Sequence, residues 1–289
     1  MSLAGARRFV ALVYEKAADD NIFFLASGMT FGVVVAAIPF LLLLLTVAGL
    51  FLAPQFDAPR SEVLEWVWRL LPVAGAEMES ELEGLLTEVA DRAGSIGIVS
   101  GLAFVWLSTR LFGAVRTVVA EVFDLRDPPN VVKGKLLDVG MVVLSTVLLC
   151  LNIALTSFLR ALGAEGLEAV GLAPGLFDWA LGLLAAFLFV YLMFLFIYKF
   201  AALNRISWRT ASLAAFVAAV GFELLKAGFG WWVTAFADYS SYFFAFATLA
   251  VLVLSIYYGS ALFVLGGEVA QVAELRRTLE KQRELFEEA

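Results

Sequence analysis

Runs such as AAIPFLLLLLTVAGLFLA and LGLLAAFLFVYLMFLFIY restrict this chain to one kind of fold. They are apolar all the way around a helix, whereas a helix on a soluble domain hides only one stripe. About 20 helical residues cross a hydrocarbon layer about 30 Å thick, and these runs are long enough to do so. The stretch FLFVYLMFLFIYKF alternates locally in the manner of a strand. An open strand edge has no place in lipid, so a helix is expected there too. The bias holds for the whole chain: 62% of its residues are hydrophobic and its mean hydropathy is +0.91, against roughly 45–50% apolar residues in an ordinary soluble domain. The fold expected is all-α, a polytopic membrane helical bundle forming a single integral membrane domain over residues 1–289.

Six transmembrane helices are expected, near residues 22–52, 95–120, 136–161, 176–201, 210–236 and 243–270. Pro39 falls inside the first, where a proline removes a backbone donor and bends the helix, making it a candidate hinge as well as a packing kink. The opening segment is interrupted by Glu15, Lys16, Asp19 and Asp20 and is not read as a cleaved signal peptide; the first span is expected to be retained. Residues 53–93 form the longest connection. Its acidic segment carries Met78, Leu82, Leu85, Leu86 and Val89 at helical spacing, so short external amphipathic helices are expected there. Residues 271–289 read as a polar helical tail.

Basic residues recur on one side of this scheme. Arg7, Arg8 and Lys16 precede the first span, Arg126, Lys133 and Lys135 lie between the second and third, and Lys199, Arg205 and Arg209 lie between the fourth and fifth. Arg276, Arg277, Lys281 and Arg283 follow the sixth. The positive-inside rule then places both termini, and the tail, in the cytoplasm.

Charges inside the apolar segments are the candidate functional residues, because an ionised group in hydrocarbon needs a partner, a water-filled cavity or the interface. Glu223 and Lys226 stand three positions apart on one face of the fifth span, as a structural ion pair or as part of a route. Arg110 is placed deep in the second span. Arg116, nearer its end, can snorkel or meet Glu121 or Asp124. Glu268 follows Gly266 and Gly267, whose lack of side chains lets another helix approach closely. Tyr198 and Lys199 read as the interfacial end of the fourth span.

Several chemistries are excluded. The chain has no histidine and one cysteine, Cys150, so a His/Cys metal cluster and a Ser-His-Asp triad are absent. No compact carboxylate set suggests a metal, and no GxxxxGK[ST] loop suggests an ATP-driven motor. The net charge is −7 and no basic stripe is present, which argues against nucleic acid as a partner. No catalytic residue, metal or cofactor is assigned. The expected partners are membrane lipids, a small solute or lipid ligand, and a second copy of the chain.

FLASGMTFGVVVAAIPFLLLLLTVAG, WLSTRLFGAVRTVVAEVFD, FELLKAGFGWWV and the closing YSSYFFAFATLAVLVLSIYYGSALFVLGGEVAQV follow one another in an order that resembles the YihY/BrkB membrane-protein family, formerly described as ribonuclease-BN-like. The resemblance covers roughly residues 20–275, and Pro39, Arg110, Glu223, Lys226 and Glu268 fall within the matching segments. Family patterns favour a tyrosine after the fifth-span phenylalanine and a tryptophan in the sixth span; Trp231, Trp232 and Ile256-Tyr257-Tyr258 occupy those neighbourhoods here. The resemblance implies a six-helix protein of the bacterial inner membrane, suspected of transport. Ribonuclease activity is disfavoured, since the chain offers neither a nuclease metal site nor an RNA-binding surface. The leading expectation is a transporter of an amphipathic or lipid-related solute. The alternative is a non-transport scaffold or envelope-integrity factor, and a membrane hydrolase comes third.

Overall fold

The computed structural model describes residues 3–51, 93–125, 131–166, 174–203, 205–235 and 241–287. Among the described residues seven helices follow one another: α1 (Leu3–Asp19), α2 (Ile22–Phe51), α3 (Ala93–Val122), α4 (Val131–Gly166), α5 (Pro174–Ala201), α6 (Trp208–Ala235) and α7 (Ser241–Glu287). Among the described residues there is no strand, and the chain is an all-helical polytopic membrane bundle. Among the described residues five helices are long and apolar enough to cross a membrane, over Ile22–Phe40, Ile98–Val122, Gly182–Ala201, Trp208–Trp232 and Ala250–Glu287. The expected third span lies within α4, a helix of 36 residues of which part lies outside the described side chains. The expected external connection, apart from its last residue, also lies outside the described residues.

The chain divides into two compact units, one built from Met1–Ser27, Phe112–Leu225 and Tyr258–Ala289, the other from Gly28–Leu111 and Lys226–Tyr257. In both, large apolar side chains point outward. Phe23, Phe24 and Leu136 are exposed in the first unit, and Phe31, Leu102 and Trp231 in the second. On a soluble protein such a surface would drive aggregation; in hydrocarbon it is the solvated face.

The first unit places small side chains inside, as expected where lipid tails are as apolar as leucine and helices associate through close packing. Ala211, Ala214, Ala215, Ala218 and Ala219 of α6 are completely buried. Against them lies Gly266 of α7, where a β-carbon would come within 2.6 Å of the Ala214 carbonyl oxygen. Aromatic rings fill the remaining depth. Tyr198 stacks on Phe263 with centroids 4.3 Å apart and donates its hydroxyl hydrogen to the Phe263 carbonyl. Phe194 meets Phe222 and Phe263 edge to face. Tyr198 and Lys199, expected at an interface, are turned inward, with 1% and 6% of their surface exposed. The second unit packs Phe40 against Phe104 at 5.2 Å, and Pro39 lies buried inside α2, where its ring removes the donor that would bond the Val35 carbonyl.

Helix ends in the first unit are closed by tight turns. Asn21, Asp124 and Leu203, all at positive φ, follow α1, α3 and α5. After α3 the Leu125 N–H donates to the Ala120 carbonyl at 2.8 Å and the Asp124 N–H to that of Glu121 at 3.0 Å, the paired bonds of a Schellman turn. Asp tolerates the left-handed conformation better than most residues.

The glycine contact predicts a contrast measurable by unfolding in mixed micelles. Gly266→Ala should lose about 1–3 kcal/mol through overpacking. Gly140→Ala, where no described atom lies within 4 Å of the added carbon, should hold or gain up to about 1 kcal/mol from helix propensity.

Candidate functional site

Lys16 lies in the last turn of α1, where a cation complements the helix dipole. Its ammonium donates to Asp20 Oδ2 at 2.8 Å, one turn further on. The Schellman turn after α3 carries Asp124 to within 3.3 Å of the same ammonium, and Gln271 of α7 donates to Asp124 at 3.3 Å. Partial burial alone would lower the Lys16 pKa. The hydrogen bond to Asp20 and the charges of Glu268, Asp20 and Asp124 outweigh that effect and hold it above its ordinary value.

Glu268 completes the set from α7. Its side chain is fully buried beside the Asp20 carboxyl, its Oε2 is 3.9 Å from the Lys16 ammonium, and neither of its oxygens makes a well-formed hydrogen bond among the described residues. Gly267 lets α7 come this close to the end of α3, because a β-carbon there would be 2.7 Å from Val122 Cγ1. One ammonium thus faces three acidic side chains, and the most deeply buried of them is the furthest from it and the least satisfied.

A second buried pair lies elsewhere in the same unit. Arg116 of α3 reaches Asp138 of α4 with two bonds, Nε to Oδ1 at 3.2 Å and the terminal nitrogen to Oδ2 at 3.4 Å. Asp138 is fully buried, and Arg116 keeps 21% of its side chain exposed. The space is cut to fit. A β-carbon on Gly134 would be 3.0 Å from the guanidinium carbon, and one on Gly113 would be 3.4 Å from Asp138 Oδ2. At the start of α6, Ser207 accepts from the Thr210 N–H as an N-cap, and the Thr210 hydroxyl donates to Glu274 at 2.9 Å. The Lys199 ammonium donates to the Ile206 carbonyl at 2.6 Å and lies 5.2 Å from the Trp208 ring.

The residues singled out from the sequence lie at several places. Glu268 and Arg116 enter two different ionic sets of the first unit, and Arg116 turns to Asp138 instead of Glu121 or Asp124. Glu223 is half-buried and Lys226 exposed, three positions apart on α6, and each has an interaction partner. Arg110, in the second unit, is exposed with its guanidinium 5.5 Å from the Trp106 ring. Lys16, Asp20, Asp124 and Asp138 were not among the candidates. Asp138 carried a readable signal, as an acid inside the apolar run LLDVGMVVL. The others lie at helix ends, where a charge is ordinary. Among the described residues no group of three or more acidic or cysteine side chains is arranged to hold a metal ion.

Outward-facing apolar helices around buried ionic groups define a polytopic helical membrane protein. Within that class the chain belongs to the family described as Virulence factor BrkB, whose profile matches residues 13–288. It is similar to a UPF0761 membrane protein of Ralstonia nicotianae, 26% identical over 94% of this chain and 60% of the relative. It is also similar to one from Methylibium petroleiphilum, 25% identical over 90% and 60% of the two chains. A third, from Pseudoalteromonas atlantica, is 22% identical over 94% of this chain and 88% of the relative. The chain thus spans 60% of the length of the first two. No solved structure matches it.

The Arg116–Asp138 pair gives a thermodynamic test. Arg116→Met leaves a buried carboxylate without its cation and should cost about 3–5 kcal/mol in unfolding experiments. Adding Asp138→Leu to that variant should recover most of the loss, since a buried pair is readily replaced by apolar groups of similar volume.

Proposed function

We propose that this protein is a transporter of an amphipathic or lipid-related solute in the bacterial inner membrane, with both termini in the cytoplasm. Glu268 and Lys16 form the responsive centre in this reading. One observation supports it above the others: an acidic side chain with no exposed surface is crowded by the Asp20 carboxyl and makes no well-formed hydrogen bond among the described residues, although an ammonium lies 3.9 Å away. A purely structural buried ion pair gains its worth from close contact and full hydrogen bonding, as Arg116 and Asp138 show. Lys16 instead directs its close contacts to Asp20 and Asp124. Unsatisfied buried groups in native proteins call for an explanation, and binding that occurs in another step of a working cycle supplies one. The first-span proline is a hinge in the same scheme.

Purified protein in sealed liposomes, tested against a panel of amphipathic solutes and labelled lipids, should move at least one class of them. Glu268→Gln keeps the shape of the side chain and should slow that movement at least 10-fold while the protein stays folded. Folded wild type that moves nothing in either orientation would count against transport. Equal movement by wild type and Glu268→Gln would remove Glu268 from the route.

A scaffold role has its own support in the tail. Leu275, Leu279 and Phe286 are exposed on the last turns of α7, a stripe that a second copy could cover. Crosslinking in native membranes should trap a dimer through this helix, and Leu279→Glu should abolish it. A chain that stays monomeric in membranes overturns the second reading.

A further inference from the structure

The first unit carries a groove of about 810 Å³ that takes no part in the Glu268 cluster. This volume lies within the roughly 300–1,000 Å³ common for small-molecule sites. The wall comes from two membrane-crossing helices: Leu184, Phe187 and Leu188 from α5, and Phe216 from α6. Phe187 is held by a stack on Tyr191 and an edge-to-face contact with Phe216, and the Tyr191 hydroxyl is linked to Ser212 at 2.8 Å. Leu184, Leu188 and Phe216 remain 45–61% exposed, so the wall is open to hydrocarbon.

The rim is charged with both signs. Arg209 stands at the start of α6, and Arg277, Glu280, Lys281 and Glu284 lie on one face of α7 at helical spacing. Among the described residues none of these five comes within ion-pairing distance of an opposite charge, so the charges are presented outward instead of neutralising one another. We infer that this groove binds one aminophospholipid, with its acyl chains along the Leu184–Phe187–Leu188–Phe216 wall, its phosphate on Arg209, Arg277 and Lys281, and its primary ammonium on Glu280 and Glu284.

Charge complementarity selects this occupant. Guanidinium groups fork onto phosphate oxygens, and carboxylates accept from an N–H donor. A choline headgroup has a quaternary nitrogen with no hydrogen to donate. A glycerol headgroup has no cation, so it leaves Glu280 and Glu284 facing a net anion. A bare phosphate finds the cations and gains nothing from the wall.

Native mass spectrometry of the full chain, released from micelles with equal amounts of phosphatidylethanolamine, phosphatidylcholine and phosphatidylglycerol, tests the assignment. Phosphatidylethanolamine should be retained at least 5-fold over either competitor. Arg277→Ala/Lys281→Ala should cut its retention at least 10-fold. Glu280→Gln/Glu284→Gln should keep phospholipid bound and lose the preference for ethanolamine over choline. All these positions lie on an exposed rim, and an unchanged thermal unfolding temperature verifies the fold of each variant. Phosphatidylglycerol held as well as phosphatidylethanolamine, or retention indifferent to the double alanine variant, would overturn the proposal. Soluble phosphoethanolamine or inorganic phosphate that displaces the lipid at equal concentration would overturn it too, because the apolar wall would then contribute nothing.

Discussion

Hydrocarbon offers the backbone no hydrogen-bond partner except itself, and the rest of this structure follows from that. Every described crossing is a helix, because only a helix satisfies its own N–H and C=O groups within a single segment. Once the outer surface is apolar, there is little hydrophobic drive left to hold the helices together. Close approach takes its place, through Gly266 against the Ala214 carbonyl and a row of completely buried alanines on α6. Two buried ionic sets in the first unit are shaped by a glycine or a helix end, Arg116–Asp138 by Gly113 and Gly134 and Lys16–Glu268 by Gly267 and the turn after α3.

The two buried sets show different solutions to the same electrostatic problem. Arg116 and Asp138 satisfy each other with two bonds in a pocket that Gly113 and Gly134 keep open. Around Lys16 the balance is unequal: three carboxylates share one ammonium, and the fully buried Glu268 is the furthest from it. The first arrangement resembles a rivet. The second leaves its most buried member the least satisfied, and the proposed function rests there.

Five of the expected crossings match helices long and apolar enough to span a membrane, because an apolar run reports its surroundings directly, residue by residue. Glu268 and Arg116 were legible for the complementary reason, as charges inside such runs. Their partners were not. Lys16 precedes Glu268 by 252 positions, and no local periodicity links a helix end to a site so distant in sequence. Asp124 reads as an ordinary acid after a helix until the turn at positive φ directs its carboxylate toward Lys16. Tyr198 and Lys199 carried an interfacial signature, yet the Phe263 carbonyl, the Ile206 carbonyl and the Trp208 ring give them inward partners that a single sequence does not reveal.

Because α7 continues unbroken to Glu287, the tail is mechanically the same object as the helix that bears Glu268. The two residues are about 28 Å apart along the axis at 1.5 Å per residue, with no glycine or proline between them to absorb a twist. A rotation of the tail about its axis would therefore turn the segment that bears the buried carboxylate, as a key turns the bolt of a lock. Arg276, on the same stretch of helix, lies 6.0 Å from the Phe9 ring of α1, the helix that holds Lys16.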